Sequence, residues 1–86
     1  MPYIKQEDRT RYEKSIKEII DNLPKDITKI DGHLNYILTR ILKEVYPPKY
    51  FNYNRAIGVL ECCKLELYRH VIGPYEEKKL KEAGDV

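Results

Sequence analysis

The sequence has no long hydrophobic run and no strong excess of either charge. No segment of about 18 consecutive apolar residues, the length typical of a membrane-spanning helix, occurs in the 86-residue chain. No hydrophobic stretch opens the chain either, so we expect no signal peptide and a cytoplasmic location. The net charge is only +2 and both signs are interspersed. A nucleic-acid-binding domain more often shows a strong basic excess or a basic stripe.

The chain is not rich in glycine or proline either, with four and five copies. The apolar fraction is 42% and the charged fraction 35%, which excludes a disordered or low-complexity chain. The length predicts one helical domain over residues 1–86. Because a chain of this size builds only a modest core, self-association would add to its stability.

The chain has only two cysteines, Cys62 and Cys63, and they are adjacent. A disulfide between neighbours would be strained within a helix, so we expect two reduced thiols packed as small hydrophobic side chains. The alternative is a metal or redox pair. His70 lies about 10 Å further along the predicted helix than Cys63, so a metal site would need a second chain or other ligands. We predict no metal and no cofactor.

The stretch from Tyr53 to Glu82 organises the rest of the chain, because it predicts a long helix with little polar surface. At about 100° per residue, apolar side chains cover most of its circumference. The two other predicted helices are one-sided, so covering this one requires a second copy of the chain. We therefore predict a homodimer through this helix. The candidate interface residues are Gly58, Cys62, Leu65 and Ile72, and glycine and cysteine there permit close approach.

Two shorter helices precede the long one. The first is predicted to start between Gln6 and Arg9 and to end before Pro24. The second is predicted over Gly32–Val45, with Asp31 as its N-cap. Their apolar stripes are Tyr12, Ile16, Ile19, Ile20 and Leu23 in the first, and Leu34, Ile37, Leu38, Ile41, Leu42 and Val45 in the second. The fold prediction is an all-α three-helix bundle whose long C-terminal helix is kinked at Gly73-Pro74.

The predicted loop from Tyr46 to Asn54 is rich in aromatic residues. It holds Tyr46, Tyr50, Phe51 and Tyr53 among prolines and asparagines. These side chains either close one end of the bundle, with their phenol groups at the water boundary, or form a stacking surface for a ring or a partner. Asn52 or Asn54 is the expected N-cap of the long helix.

Lys64 is the polar residue that fits its predicted position least well. It projects about 20° from the centre of the main apolar face of the long helix. A buried ammonium group must be paired or must reach water through its long stem. Glu61 and Tyr68 are its helical neighbours. The three form a candidate polar cluster, either a structural ion pair or a cleft that contains an acid, a base and a phenol.

Two further alternatives remain open. A local basic and aromatic surface would bind a nucleotide or a nucleic acid, and its candidates are Tyr36, Arg40, Lys43, Tyr50, Arg55 and Arg69. Ordinary solvated charge explains the same residues. The second alternative is a magnesium-dependent pyrophosphohydrolase of the MazG type, which pairs carboxylates from two helices. Its candidates are Glu61, Glu66, Glu76, Glu77 and Asp85, but the ExxE and ExxD spacing of those enzymes is not visible.

A further pattern extends over residues 1–9, 32–36, 58–62, 64–66, 68–69 and 74–76, together with Lys78 and residues 84–86. In these segments the chain resembles a family of short, uncharacterised helical proteins of prokaryotes and their viruses. His70 and Ala83 depart from the family pattern. The resemblance implies one compact α-helical domain and supplies no catalytic residues. We therefore expect a non-enzymatic protein-interaction module acting as a homodimer, with an unidentified protein as a further partner.

Overall fold

The computed structural model of the chain describes residues 4–84, and these form helices joined by short connections. Helix α1 spans Gln6–Asn22, α2 spans Ile27–Val45 and α3 spans Tyr50–Leu67. A π-helical turn, Tyr68–Ile72, joins α3 to α4, which spans Gly73–Ala83. The segment from α3 to α4 is one long kinked helix of 34 residues. The predicted all-α fold, with three helices of which the third is long and kinked, is confirmed.

Helix α1 has the predicted boundaries. It begins at Gln6, and Glu7 and Asp8 lie in its first turn, where acidic side chains interact favourably with the helix dipole. It ends at Asn22 because Leu23 precedes a proline and adopts an extended ψ of 147°, as the steric demands of proline require.

Helix α2 begins earlier than predicted. The N-cap is Asp26, not Asp31, which lies inside the helix. The Asp26 carboxylate accepts hydrogen bonds from the backbone N–H of Thr28 at 3.0 Å and from the Thr28 hydroxyl at 2.7 Å. Both bonds lower the pKa of Asp26, and the bond from the hydroxyl has the larger effect. The helix ends at Val45 as predicted.

Helix α3 begins at Tyr50, inside the segment predicted to be a loop. The prediction that Asn52 or Asn54 caps it is wrong, because both residues lie within the helix. The N-cap position belongs to Lys49, which makes no side-chain capping bond. The Asn52 amide instead donates to the carbonyl of Pro47 at 3.0 Å, which ties the short loop 46–49 to the first turn of α3.

The kink in the long helix coincides with the π turn. Pro74 has no N–H, and its ring would clash with the preceding turn of a regular α-helix. The wider π turn absorbs this mismatch, and the Gly73 N–H donates to the Tyr68 carbonyl five residues earlier. A Cβ atom on Gly73 would lie 3.1 Å from that oxygen. Gly84 is the C-cap of α4: its φ is 90° and its N–H donates to the Leu80 carbonyl at 2.8 Å.

The helices of one chain do not enclose a core. Among residues 4–84, no side chain is buried. Ile16 on α1 is 49% exposed, Ile57 on α3 is 66% exposed and Val71 in the π turn is 60% exposed. Half-buried apolar residues gather at the α1–α2 junction, with Leu23 and Ile30, and at the α2–α3 junction, and Leu80 on α4 is half-buried as well. The burial expected for the apolar stripes of the first two helices is therefore not reached within a single chain.

The dimensions of the chain agree with this open arrangement. The radius of gyration is 16.5 Å and the principal extents are 48 × 33 × 30 Å, whereas a compact domain of this length has a radius of about 12 Å. Among the described residues, contacts between helical segments are extensive where α3, the π turn and α4 follow one another in the long helix. Helices α1, α2 and α3 meet mainly through their connections and diverge from one another.

Candidate functional site

The predicted polar cluster on α3 divides into two pairs. The Lys64 ammonium lies 3.0 Å from the Glu61 carboxylate, and their side chains are 67% and 54% exposed. The Tyr68 hydroxyl instead donates to the Glu76 carboxylate at 3.3 Å, across the π turn. Exposed pairs of this kind contribute at most about 1 kcal/mol to stability. Lys64 has access to water in a single chain, so its charge needs no buried partner there.

The predicted basic and aromatic residues lie on different elements. Tyr36, Arg40 and Lys43 share α2. The Arg40 guanidinium donates to the Glu44 carboxylate at 2.9 Å and to the Tyr36 hydroxyl at 3.0 Å. These bonds raise the pKa of Arg40, with Glu44 the larger cause. The positive charge of this surface is therefore partly offset by an acidic neighbour.

The remaining basic residues of that set also have local partners. Arg55 on α3 stacks its guanidinium over the Phe51 ring at 4.9 Å, while Tyr50 at the start of the helix is 80% exposed. Arg69 in the π turn lies 3.8 Å from the Glu66 carboxylate, which also approaches His70 at 3.3 Å. The six predicted residues thus belong to three separate local groups.

The four candidate interface residues are open to solvent in a single chain. A Cβ atom built on Gly58 meets nothing within 4 Å. Cys62 is an exposed free thiol, Leu65 is 47% exposed and Ile72 is 40% exposed. The neighbouring Cys63 is an exposed free thiol as well, so the burial expected for both cysteines is not reached within one chain.

An apolar groove between α2 and α3 is the feature that sequence reasoning missed. It has a volume of about 430 Å³ and lies where the two helices diverge from the loop 46–49. Its lining residues are Thr39, Leu42, Lys43, Tyr46, Pro48, Tyr53, Ala56, Ile57 and Leu60. The signal in the sequence was the aromatic loop, whose Tyr46 and Tyr53 line one end of this groove instead of closing a bundle.

The described carboxylates do not converge. Within residues 4–84, no group of three or more His, Cys, Asp or Glu side chains is placed to hold a metal ion. Asp85, one of the carboxylates considered for magnesium binding, lies outside the described residues. No helix within residues 4–84 is both long enough and apolar enough to cross a membrane.

Comparison with known proteins gives a family without an assigned activity. Searches among curated proteins and among solved structures each find no significant match. A protein-family comparison matches residues 1–86 to the family described as Domain of unknown function (DUF6899). This match agrees with the sequence resemblance, which also extended over nearly the whole chain. The chain therefore belongs to the DUF6899 family of domains of unknown function.

Proposed function

We propose that the protein is a non-enzymatic protein-interaction module that works as a homodimer. One observation carries this proposal: among residues 4–84 no side chain is buried, while large apolar side chains are exposed on every helix. Monomeric soluble proteins rarely expose extended apolar surface, and such surface marks a protein-interaction site. A chain with these helices gains little hydrophobic stabilisation until another surface covers them.

The amount of exposed surface fits a partner of the same size. The accessible surface of the chain is 8160 Å², whereas a compact protein of 10.3 kDa exposes about 5,400 Å². The excess is about 2,800 Å² per chain, or about 5,500 Å² over two chains. Obligate homodimers bury about 2,000 to 5,000 Å² or more in total. A second copy thus supplies enough area to cover the excess without a further subunit.

Charge does not oppose this pairing. Each chain carries a formal net charge of +2 with both signs interspersed, so long-range repulsion between two copies is weak and is screened by salt.

The proposed location is the cytoplasm, because two exposed free thiols on one helix suit a reducing compartment. Any apolar surface left outside the dimer interface would serve the unidentified protein partner.

Light scattering coupled to size-exclusion chromatography tests the proposal. The expected mass is twice the 10.3 kDa of one chain, and it should persist on dilution to low micromolar concentration. A folded monomer at these concentrations would contradict the proposal. Salt-sensitive binding of DNA or RNA by such a monomer would favour the nucleic-acid alternative.

A further inference from the structure

We propose that each chain of the dimer inserts its helix α1 into the α2–α3 groove of the other chain. This inference rests on the proposed homodimer and specifies how the two copies fit together. The result is a reciprocal exchange in which α1 of one copy completes the three-helix bundle of its partner.

The groove has the shape and chemistry of a receptor for a helix. Its two walls are α2 and α3, and Leu42, Ile57 and Leu60 face it from these walls. Tyr46 and Tyr53 line the end nearest the loop. Apolar grooves between diverging helices bind the apolar face of an amphipathic helix, which anchors through residues three, four and seven positions apart.

Helix α1 carries the matching face. Tyr12, Ile16 and Ile20 follow one another at four-residue spacing and therefore lie on one side of the helix. They are 48%, 49% and 58% exposed. Ile19 and Leu23 continue this face toward the α1–α2 junction and are half-buried there. The part of α1 away from the junction thus has an uncovered apolar stripe.

The connection between α1 and α2 explains why α1 does not occupy the groove of its own chain. Only residues 23–26 separate the two helices. Leu23 is held extended before Pro24 and Asp26 is extended as well, with ψ values of 147° and 112°. Short connections that keep a helix away from its own domain favour exchange of that helix between two copies.

A reciprocal exchange covers the α1 stripe and the α2–α3 groove in both chains. Each α1 stripe fills one groove, and each groove receives one stripe, so a two-fold dimer closes without leaving a free copy of either surface. Pairing through α3 alone would leave the α1 stripe and the groove open to water. The exchange also forms the contact between α1 and the groove twice in each dimer. The area buried in this way comes from the excess surface of about 2,800 Å² that each chain exposes.

Cross-linking of full-length chains distinguishes this arrangement from others. In a background with Cys62→Ser and Cys63→Ser, one chain carries Ser15→Cys, at the edge of the α1 stripe, and another carries Ala56→Cys, in the groove. Both changes are small and leave the large apolar residues intact. After mixing and exchange, a short bismaleimide should link the two chains as the main product. The matched pair of Ser15→Cys with Ala83→Cys, at the end of α4, should give little product.

The outcomes separate this inference from the proposed homodimer. Light scattering first establishes the mass of each variant. A dimer in which the Ser15→Cys and Ala56→Cys positions link between chains supports the exchange. A third chain carries both Ser15→Cys and Ala56→Cys. A dimer in which this chain links only within itself, or in which neither position links, overturns the exchange and leaves the homodimer intact. A monomeric wild-type chain overturns both. If only the Ser15→Cys or Ala56→Cys chains were monomeric, spin labels on Arg11→Cys and Arg55→Cys, in the same Cys62→Ser and Cys63→Ser background, would measure the interchain separation of α1 and α3. A separation too long for adjacent helices would overturn the exchange.

Discussion

Truncation of Ile57 to alanine should weaken the dimer strongly, although the side chain contributes little to a single chain. Ile57 lines the α2–α3 groove and is 66% exposed. Full burial of an isoleucine side chain stabilises by about 1.5 to 3 kcal/mol. Burial of the 66% that is exposed in one chain is therefore worth about 1 to 2 kcal/mol at each site. A symmetric dimer contains the site twice, so the loss is about 2 to 4 kcal/mol, or about a 30- to 700-fold rise in the dimer Kd.

Sedimentation equilibrium over a range of chain concentrations measures this Kd. The matched control is Ile27→Ala at the start of α2, because Ile27 is 76% exposed and lies outside the groove. The same three side-chain carbon atoms are thus removed at both positions, and both changes raise helix propensity. We expect the control to leave the Kd within a few-fold of wild type. Equal Kd values for wild type and Ile57→Ala, or equal losses in both variants, would refute the reasoning.

Three further predictions concern the helices themselves. Gly58→Ala and Gly32→Ala add Cβ atoms that meet nothing within 4 Å in one chain, so each should raise helix stability by about 0.5 to 1 kcal/mol. Only Gly58→Ala should raise the dimer Kd in sedimentation experiments, and an unchanged Kd would remove Gly58 from the interface. Gly73→Ala should lack that gain in thermal unfolding, because its Cβ would lie 3.1 Å from the Tyr68 carbonyl oxygen; a gain equal to that of Gly32→Ala would show that the π turn relaxes freely. The lowered pKa of Asp26 means that its contribution to stability is present above its ordinary value of 3.8 and is lost as pH falls through the lower folded-state pKa. Asp26→Asn should therefore flatten the acid limb of a urea-unfolding series below about pH 4, and an unchanged limb would contradict this assignment.

The number and type of helices could be predicted because local signals dominate them. Pro24 ends α1 and Pro74 kinks the long helix, and both effects follow from the geometry of the proline ring. The N-terminus of α2 was missed for a local reason as well. Asp31 is a favourable capping residue, but Asp26 is followed by Thr28, which provides two hydrogen bonds to its carboxylate. The apolar periodicity also continues back through Ile30.

The arrangement of the helices could not be predicted in the same way. Apolar stripes indicate which faces avoid water, but they do not say whether the covering surface belongs to the same chain. Ile16 belongs to a one-sided stripe that was expected to be covered within the bundle, and it is exposed in one chain. The split of the polar cluster has a similar origin: the π turn brings Glu76 to the Tyr68 hydroxyl, and a regular helical wheel contains no such turn.

The concentration dependence of thermal unfolding, followed by helical circular dichroism, tests most directly whether the fold of one chain requires a second copy. If folding and association are coupled, the Tm should rise steadily with chain concentration, since mass action then favours the folded dimer. A Tm that stays constant over a hundredfold range of concentration, in a protein whose mass is that of one chain, would contradict the account.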